Sequence, residues 1–237
     1  RLEALLRWEH PRFGRVAPDE FMPQTEQTNL IGALTTRVLE LAFADCAIWK
    51  AAGAPDVGVA VNTSARNVHD SRFATIVQDL IELNGLSGTD VELEITENAI
   101  MEDVVGCGAV LEALRAMGVT IAIDDFGTGF SSLIALRDLT IDRVKIDRSF
   151  VSTLELDSPN YSIVRSVVDL GTNLGLETVA EGIESVEVLA ILQQLGCEEY
   201  QGFLACSPRP LDELLPILQN GYLRPAGSTF ASNEVAT

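Results

Sequence analysis

The sequence predicts an α/β fold, a closed barrel of parallel βα units, and three observations carry the prediction. Short strands recur along the chain with single stretches of helical periodicity between them, which is the signature of parallel pairing through crossover helices. Acids, amides and a lysine recur at the C-terminal ends of those strands, where barrel active sites are built. With 237 residues, 47% of them hydrophobic, the chain is long enough for one large domain with a substantial core, and one barrel would use it all.

In order, residues 1–8 read as a strand with Glu3, Leu5 and Arg7 on one face. A loop with His10, Pro11 and Gly14 leads to Pro18, which suits a helix start, followed by two acids that suit its positive end. Residues 30–52 carry apolar side chains at helical spacing and stop at Gly53. Strands are predicted over 57–62, 91–96, 120–124, 143–146, 177–180 and 199–201. Helices are predicted over 73–83, 103–117 (closed by Gly118), 159–174 (capped by Ser158, with Gly175 past its end), 186–195 and 211–218. The barrel domain thus spans 1–220, and the small polar residues of 221–237 read as a frayed tail. The opening residues already read as a strand, so the domain is expected to be cut from a longer protein.

The stretch 120–133, TIAIDDFGTGFSSL, organises the rest. Ile121 and Ile123 face the helices, and then Asp124 and Asp125 arrive together; Gly127 and Gly129 permit a sharp turn, so that both carboxylates converge. Like charges so placed need a proton, a cation or water. The other strand ends add Asn62, Glu94, Lys145 with Asp147, Glu181 and Gln201, with Glu3 on the opening strand. Parity agrees: Ala60 and Asn62, Glu92 and Glu94, Ala122 and Asp124, and Lys145 and Asp147 lie two apart and face alike. The opposite set (Val59, Val61, Leu93, Ile95, Ile121, Ile123, Val144, Ile146) meets the helices. Glu92, deeper than Glu94, is expected to form a structural ion pair at the barrel floor. Ser64, Arg66 and Asn67 read as loop holders.

Oxygen ligands of this kind suit Mg²⁺ or Mn²⁺. Two such ions, about 3.5 to 4 Å apart and bridged by Asp124, would clamp a phosphodiester and activate water. Lys145 either neutralises the acids or orients the water, and the residues alone leave that open. A net charge of −19 argues against wrapping a polymeric nucleic acid. His10 and His69 are the only histidines, too few for an imidazole metal centre. Cys46, Cys107, Cys197 and Cys206 are scattered without a CxxC pair, which points to a reducing, cytoplasmic compartment with thiols as core fillers. No apolar run reaches the roughly 18 residues of a membrane span, and no signal peptide opens the chain. No membrane contact by the domain itself is expected.

In its motifs the sequence resembles the EAL domain family: Glu3-Ala4-Leu5 with Arg7, VNTSAR around Asn62, ELEITE around Glu94, DDFGTGFSSL from Asp124, KIDRSFV from Lys145, AEGIE from Glu181 and QGF at Gln201. The resemblance implies a TIM-like (β/α)8 barrel whose first strand runs antiparallel to the rest, and hydrolysis of cyclic di-GMP to linear pGpG. It implies Glu3, Asn62, Glu94 and Asp124 at one metal, and Asp124, Asp125 and Glu181 at the second. Lys145 would hold the attacking water, and Glu181 would be ligand or base. Arg7 would contact phosphate, Gln201 and Asp147 would line the substrate or water site, and Glu97 would anchor the glycine loop 126–132. A homodimer is implied, and Ca²⁺ is expected to inhibit. Departures are Phe130 for Tyr, Thr63 for Leu, Asn29 for Gly, and Ser207 where a basic residue commonly precedes the proline. The competing reading is a catalytically inactive cyclic di-GMP receptor, against which the retention of Glu3, the Asp124-Asp125 pair and Lys145 counts. A third, a metal-dependent lyase or isomerase, leaves the collective motif match unexplained.

Overall fold

The structure is a computed structural model of the chain and describes residues 1–28, 30–101, 103–129, 136, 137 and 139–220. Strand β1 (Leu2–Ala4) is followed by a hairpin of β2 (Trp8–His10) and β3 (Gly14–Val16), then helices α1 (Pro18–Gln27) and α2 (Ile31–Ala51). The alternation continues with β4 (Val59–Asn62), α3 (Ala65–Val68), α4 (Phe73–Leu83), β5 (Val91–Thr96), α5 (Glu97–Met101), α6 (Val104–Ala116) and β6 (Thr120–Phe126). It closes with β7 (Arg143–Ile146), α7 (Arg148–Val151), α8 (Pro159–Leu174), β8 (Glu177–Ala180), α9 (Val186–Leu195), β9 (Glu199–Tyr200) and α10 (Leu211–Gln219). The calls on Asn29, Phe130, the loop beyond Gly129 to Ser132 and the tail 221–237 lie outside the described residues.

Seven of these strands make one parallel sheet in the order β1, β4, β5, β6, β7, β8, β9. It curls with its helices packed on the outer face. There Val59, Val61, Leu93, Ile95, Ile121, Ile123, Val144 and Ile146 are all buried in one cluster with Leu39, Phe43, Phe73 and Leu111. This is the strand parity expected from sequence. Helix ends follow their caps as well: Asp103 accepts from the Gly106 N–H at 2.9 Å, Ser158 from Tyr161 at 3.1 Å, and Ser185 from Val188 at 3.2 Å. Gly175 and Gly196 end α8 and α9 at φ 70° and 84°. Among the described residues, no helix is long and apolar enough to cross a membrane.

Three expectations are corrected. The first strand is parallel, not antiparallel: Leu2, Glu3 and Ala4 pair in register with Val59, Ala60 and Val61 of β4. This direction sends Arg1 to the floor, where its guanidinium meets Glu92 at 2.9 Å, and carries Glu3 toward Asn62, whose amide donates to it at 2.7 Å. The antiparallel pairing belongs instead to β2 and β3, a separate two-stranded sheet turned at Gly14, so the predicted strand over residues 1–8 breaks after Ala4. Nor is the barrel closed: among the described residues no ladder joins β9 to β1. Both are short, three and two residues, and a side chain spans the gap, Gln201 Nε2 donating to Glu3 Oε2 at 2.5 Å.

The third correction concerns the acid pair. Strand β6 runs past Asp124 to Phe126, and its pairing with β7 slips between Ile123 and Phe126. Ile123 opposes Val144 and Phe126 opposes Ile146, so Asp124 and Asp125 together stand against Lys145. This is a β-bulge, two residues against one. Asp125 takes the left-handed conformation itself, at φ 54°, so the convergence is made within the strand, ahead of the glycines.

Helix α8 packs closely on β8 because Gly171 lacks a side chain: a Cβ there would lie 2.6 Å from Thr178 Cγ2 and 3.2 Å from the Leu176 carbonyl oxygen. Thr178 is fully buried, so the strand cannot yield cheaply. We predict that Gly171→Val lowers stability by about 1–3 kcal/mol in urea denaturation through overpacking; a change under roughly 0.5 kcal/mol would show that the helix simply rides outward.

Candidate active site

At the C-terminal end of the sheet, one buried ammonium faces several carboxylates. Lys145 Nζ lies 2.6 Å from Glu181 Oε1, 2.8 Å from Glu94 Oε1 and 3.3 Å from Asp124 Oδ1. These are ion-pair distances, though none of the approaches has hydrogen-bond alignment, and Glu94 Oε2 is buried without a hydrogen-bond partner. The lysine and Glu94 are each 1% exposed, so solvent screens little of their charge. Burial pulls Lys145 down, but Glu94, Glu181 and Asp124 outweigh it and hold the ammonium above its ordinary value.

The acids are pushed the other way. Desolvation raises Glu94 to about 8, with Glu3 and Asp124 adding to the rise and Lys145 opposing it. Desolvation, then Asp124, lift Glu181 to about 7 against Lys145. Asp125 is raised by burial and by its neighbours Asp124 and Asp147. One lysine does not neutralise this group.

Oxygens of Asp124, Asp125 and Glu181 come within 4.8 Å of one another, the spacing at which three ligand atoms can share a cation. The donor set is all oxygen, and the orphaned Glu94 oxygen beside it also favours a hard divalent ion. An acidic site able to hold a metal is therefore present. Glu3 sits beside this group: its two oxygens accept from Asn62 Nδ2 at 2.7 Å and Gln201 Nε2 at 2.5 Å, so these three predicted residues form a second, amide-braced cluster.

The remaining predicted residues lie around the rim. Asp147 caps α7 by accepting from the Ser149 N–H at 3.0 Å. Glu97, 1% exposed, accepts from the Gly127 N–H at 2.8 Å, and a Cβ on Gly129 would come 2.7 Å from its Oε1; the backbone after the bulge is thus seated on a buried carboxylate. Arg7 is exposed, with Nη1 donating to the Leu6 carbonyl at 2.9 Å, and is not drawn into the acidic group. Of the thiols, all unpaired, Cys46 and Cys107 are buried core fillers, whereas Cys197 and Cys206 are only partly covered.

Sequence reading placed Glu92 in a floor ion pair but missed its size. Arg143 Nη1 meets Glu92 at 3.3 Å and Glu199 at 2.8 Å, Nη2 meets Glu177 at 2.6 Å, and Arg1 joins through Glu92. The signal was available: Arg143 precedes Lys145 by two, the parity already used for the mouth.

The sequence model of the EAL domain family matches residues 1–208. Among curated proteins, the bifunctional diguanylate cyclase/cyclic di-GMP phosphodiesterase MucR of Pseudomonas aeruginosa is 41% identical over 214 residues, 90% of this chain. The chain spans only about a third of that relative's length, 31%. Among solved structures, the PaMucR phosphodiesterase in complex with c-di-GMP superposes with a TM-score of 0.85 at 41% identity, covering 90% of this chain and 86% of that one. The calcium/cy-diGMP complex of Klebsiella pneumoniae BlrP1 superposes with a TM-score of 0.75 at 30% identity, covering 87% of this chain and 50% of that one.

Two predictions follow from the charge imbalance. Lys145→Met strands Glu94 and Glu181 without their cation, and should cost about 3–5 kcal/mol in denaturant titrations run in chelator at about pH 9, above the values of about 8 and 7 at which the two acids hold protons; a cost under about 1 kcal/mol there would mean the ammonium is not what reconciles them. Separately, Glu94 and Glu181 hold protons more tightly folded than unfolded. Their stabilisation is therefore present below about pH 4.5 and lost as pH rises through about 7 to 8. In chelator, Tm followed by circular dichroism should fall across that window, and a rise would contradict the assignment.

Proposed function

The chain belongs to the EAL domain family, and from that premise we propose that it hydrolyses one phosphodiester bond of cyclic di-GMP to give linear pGpG. The observation that carries the reading is the convergence of Asp124, Asp125 and Glu181 oxygens within 4.8 Å beside a buried lysine, in a chain matched by the family from end to end of its sheet. The solved PaMucR phosphodiesterase, similar over 86% of its chain, supports it. The curled sheet is read as an open form of the TIM-like barrel.

Two divalent cations, Mg²⁺ or Mn²⁺, are proposed, one held by Glu3, Asn62, Glu94 and Asp124 and one by Asp124, Asp125 and Glu181. When bound, they supply charge neutralisation and the Lewis acidity that makes water nucleophilic near neutral pH. Lys145 orients the attacking water through its ammonium, which three carboxylates fix in place. Glu181 would serve either as a ligand of the second cation or as the base that takes the water's proton. The water oxygen bonds to phosphorus, the bond from phosphorus to the ribose 3′ oxygen breaks, and that oxygen takes up a proton. Arg7 swings its exposed guanidinium to a phosphate oxygen, while Gln201 and Asp147 orient substrate and water.

Homodimerisation is proposed with it, the loop from Phe126 being the coupling element that Glu97 seats. Cytoplasmic residence is supported by the four unpaired thiols. Calcium is proposed to occupy the site without turnover, its looser coordination suiting a two-ion clamp poorly. The BlrP1 complex, solved with calcium and cy-diGMP together, supports that expectation.

A turnover assay with Mg²⁺ or Mn²⁺ tests the reading: pGpG should accumulate with the parent protein. Glu3→Ala and Asp124→Ala should each lose roughly 10²-fold or more in kcat. Binding of cyclic di-GMP without pGpG would make the domain a receptor instead, and undiminished turnover in calcium alone would remove the calcium expectation.

A further inference from the structure

The mouth of the sheet stands on a second charged storey, and the two are joined strand by strand. On β5, Glu92 at the floor precedes Glu94 at the mouth by two residues; on β7, Arg143 precedes Lys145 by two. Glu199 of β9 precedes Gln201 by two, Arg1 precedes Glu3 of β1 by two, and Glu177 of β8 precedes Glu181 by four. Every offset is even: Glu92 with Glu94 share one face of β5 and Arg143 with Lys145 one face of β7, while Arg1, Glu181 and Gln201 stand one residue outside β1, β8 and β9, the last two still bonded through their N–H groups to the Ile146 and Ala180 carbonyls of the neighbouring strands. Arg143 is the hub. It is 8% exposed and its guanidinium meets Glu92 at 3.3 Å, Glu177 at 2.6 Å and Glu199 at 2.8 Å.

The geometry matters because β5 and β7 are not neighbours. Strand β6 lies between them, and its small Ala122 pairs with Glu94 on one side and Arg143 on the other, so both charged contacts run diagonally across β6, Glu92 reaching Arg143 and Glu94 reaching Lys145. The Glu92–Arg143 contact at 3.3 Å crosses β6 toward the floor and the Glu94–Lys145 contact at 2.8 Å crosses it two residues further along both strands. Two buried ion-pair crossings between the same strands, about 7 Å apart along them, tie β5 to β7 by charge across β6. The open seam between β9 and β1 makes such bracing consequential, because no ladder closes the sheet there among the described residues. Glu199 and Arg1 are tied into the floor on either side of that seam.

We propose that Arg143 is a positioning residue for the catalytic group: it sets the places of Glu94, Lys145, Glu181 and Gln201 by clamping the strands that carry them, without touching the reacting atoms. The planar guanidinium matters because its fork grips Glu199 through two parallel hydrogen bonds of 2.8 Å each while its charge holds Glu92 and Glu177 as ion pairs, whereas a lysine ammonium is a single point of charge. The inference rests on the metal-dependent reading above and deepens it.

The test is Arg143→Lys, which retains the charge and loses the fork. Two quantities are read: kcat for pGpG formation, and the Mn²⁺ concentration that gives half the maximal thermal shift of the chelator-stripped protein. As with other supports behind metal ligands, kcat should fall and the Mn²⁺ midpoint should rise, each by roughly 10- to 100-fold. Ser158→Ala, which removes a helix cap far from the floor, serves as the control: it should lower Tm and leave both quantities unchanged. A lower Tm for Arg143→Lys with an unmoved midpoint would make the floor merely structural and overturn the proposal. Should Arg143→Lys not fold, Glu199→Gln, which removes one partner of three at a half-exposed site, should shift the midpoint several-fold in the same direction, and an unchanged midpoint overturns the proposal equally. If the parent protein makes no pGpG, the phosphodiesterase reading fails on its own, while the midpoint comparison still decides this one.

Discussion

A single buried ammonium surrounded by more carboxylates than it can neutralise is the constraint on which this molecule turns. Burial alone would drive Glu94 and Glu181 to hold their protons, and their values of about 8 and 7 reflect that pressure. Lys145 relieves part of it and is itself held charged by the acids. The remainder leaves an all-oxygen group in Asp124, Asp125 and Glu181 that is able to hold a metal. A fold selected only for stability would replace such a group with apolar side chains, often at a gain, so its retention in the core of the sheet is the mark of a working site.

The fold serves that constraint in two ways. Parallel strands point all their C-terminal ends in one direction, which is what gathers Asn62, Glu94, Asp124 and Glu181 from segments far apart in sequence. Locally, the bulge in β6 gives two consecutive acids to one site, an arrangement that strict alternation forbids, and Asp125 takes a left-handed backbone to make it. Such strain in a non-glycine residue is tolerated where the surroundings over-determine it. Here the Gly127 N–H on the buried Glu97 carboxylate supplies that restraint.

Much of this was legible in the residues because it depends on period. Helices α4, α8 and α9 and strands β5, β7 and β8 fall where caps, glycines and alternation put them, and the outward apolar set packs into the core as parity requires. What depends on pairing was not legible. The direction of β1 is decided by which partner edge receives Leu2 to Ala4, and nothing within three residues encodes that. The break after Ala4 comes from the hairpin that captures Trp8 to His10. The bulge is a property of two strands at once, so the glycines nearest the acids drew an explanation that belonged to Asp125. At the site, the family motifs named the residues, while the bracing of Glu3 by two amides and the Arg143 floor required coordinates.

The measurement that bears most directly on the central claim is anomalous diffraction at the manganese edge from crystals grown with Mn²⁺. A cation reconciling the acids predicts a peak roughly 2.0–2.3 Å from oxygens of Asp124, Asp125 and Glu181, with a second peak on the Glu3 and Glu94 side of Asp124. Ordered Asp124, Asp125 and Glu181 side chains with no anomalous density among them, at saturating Mn²⁺, would contradict the account.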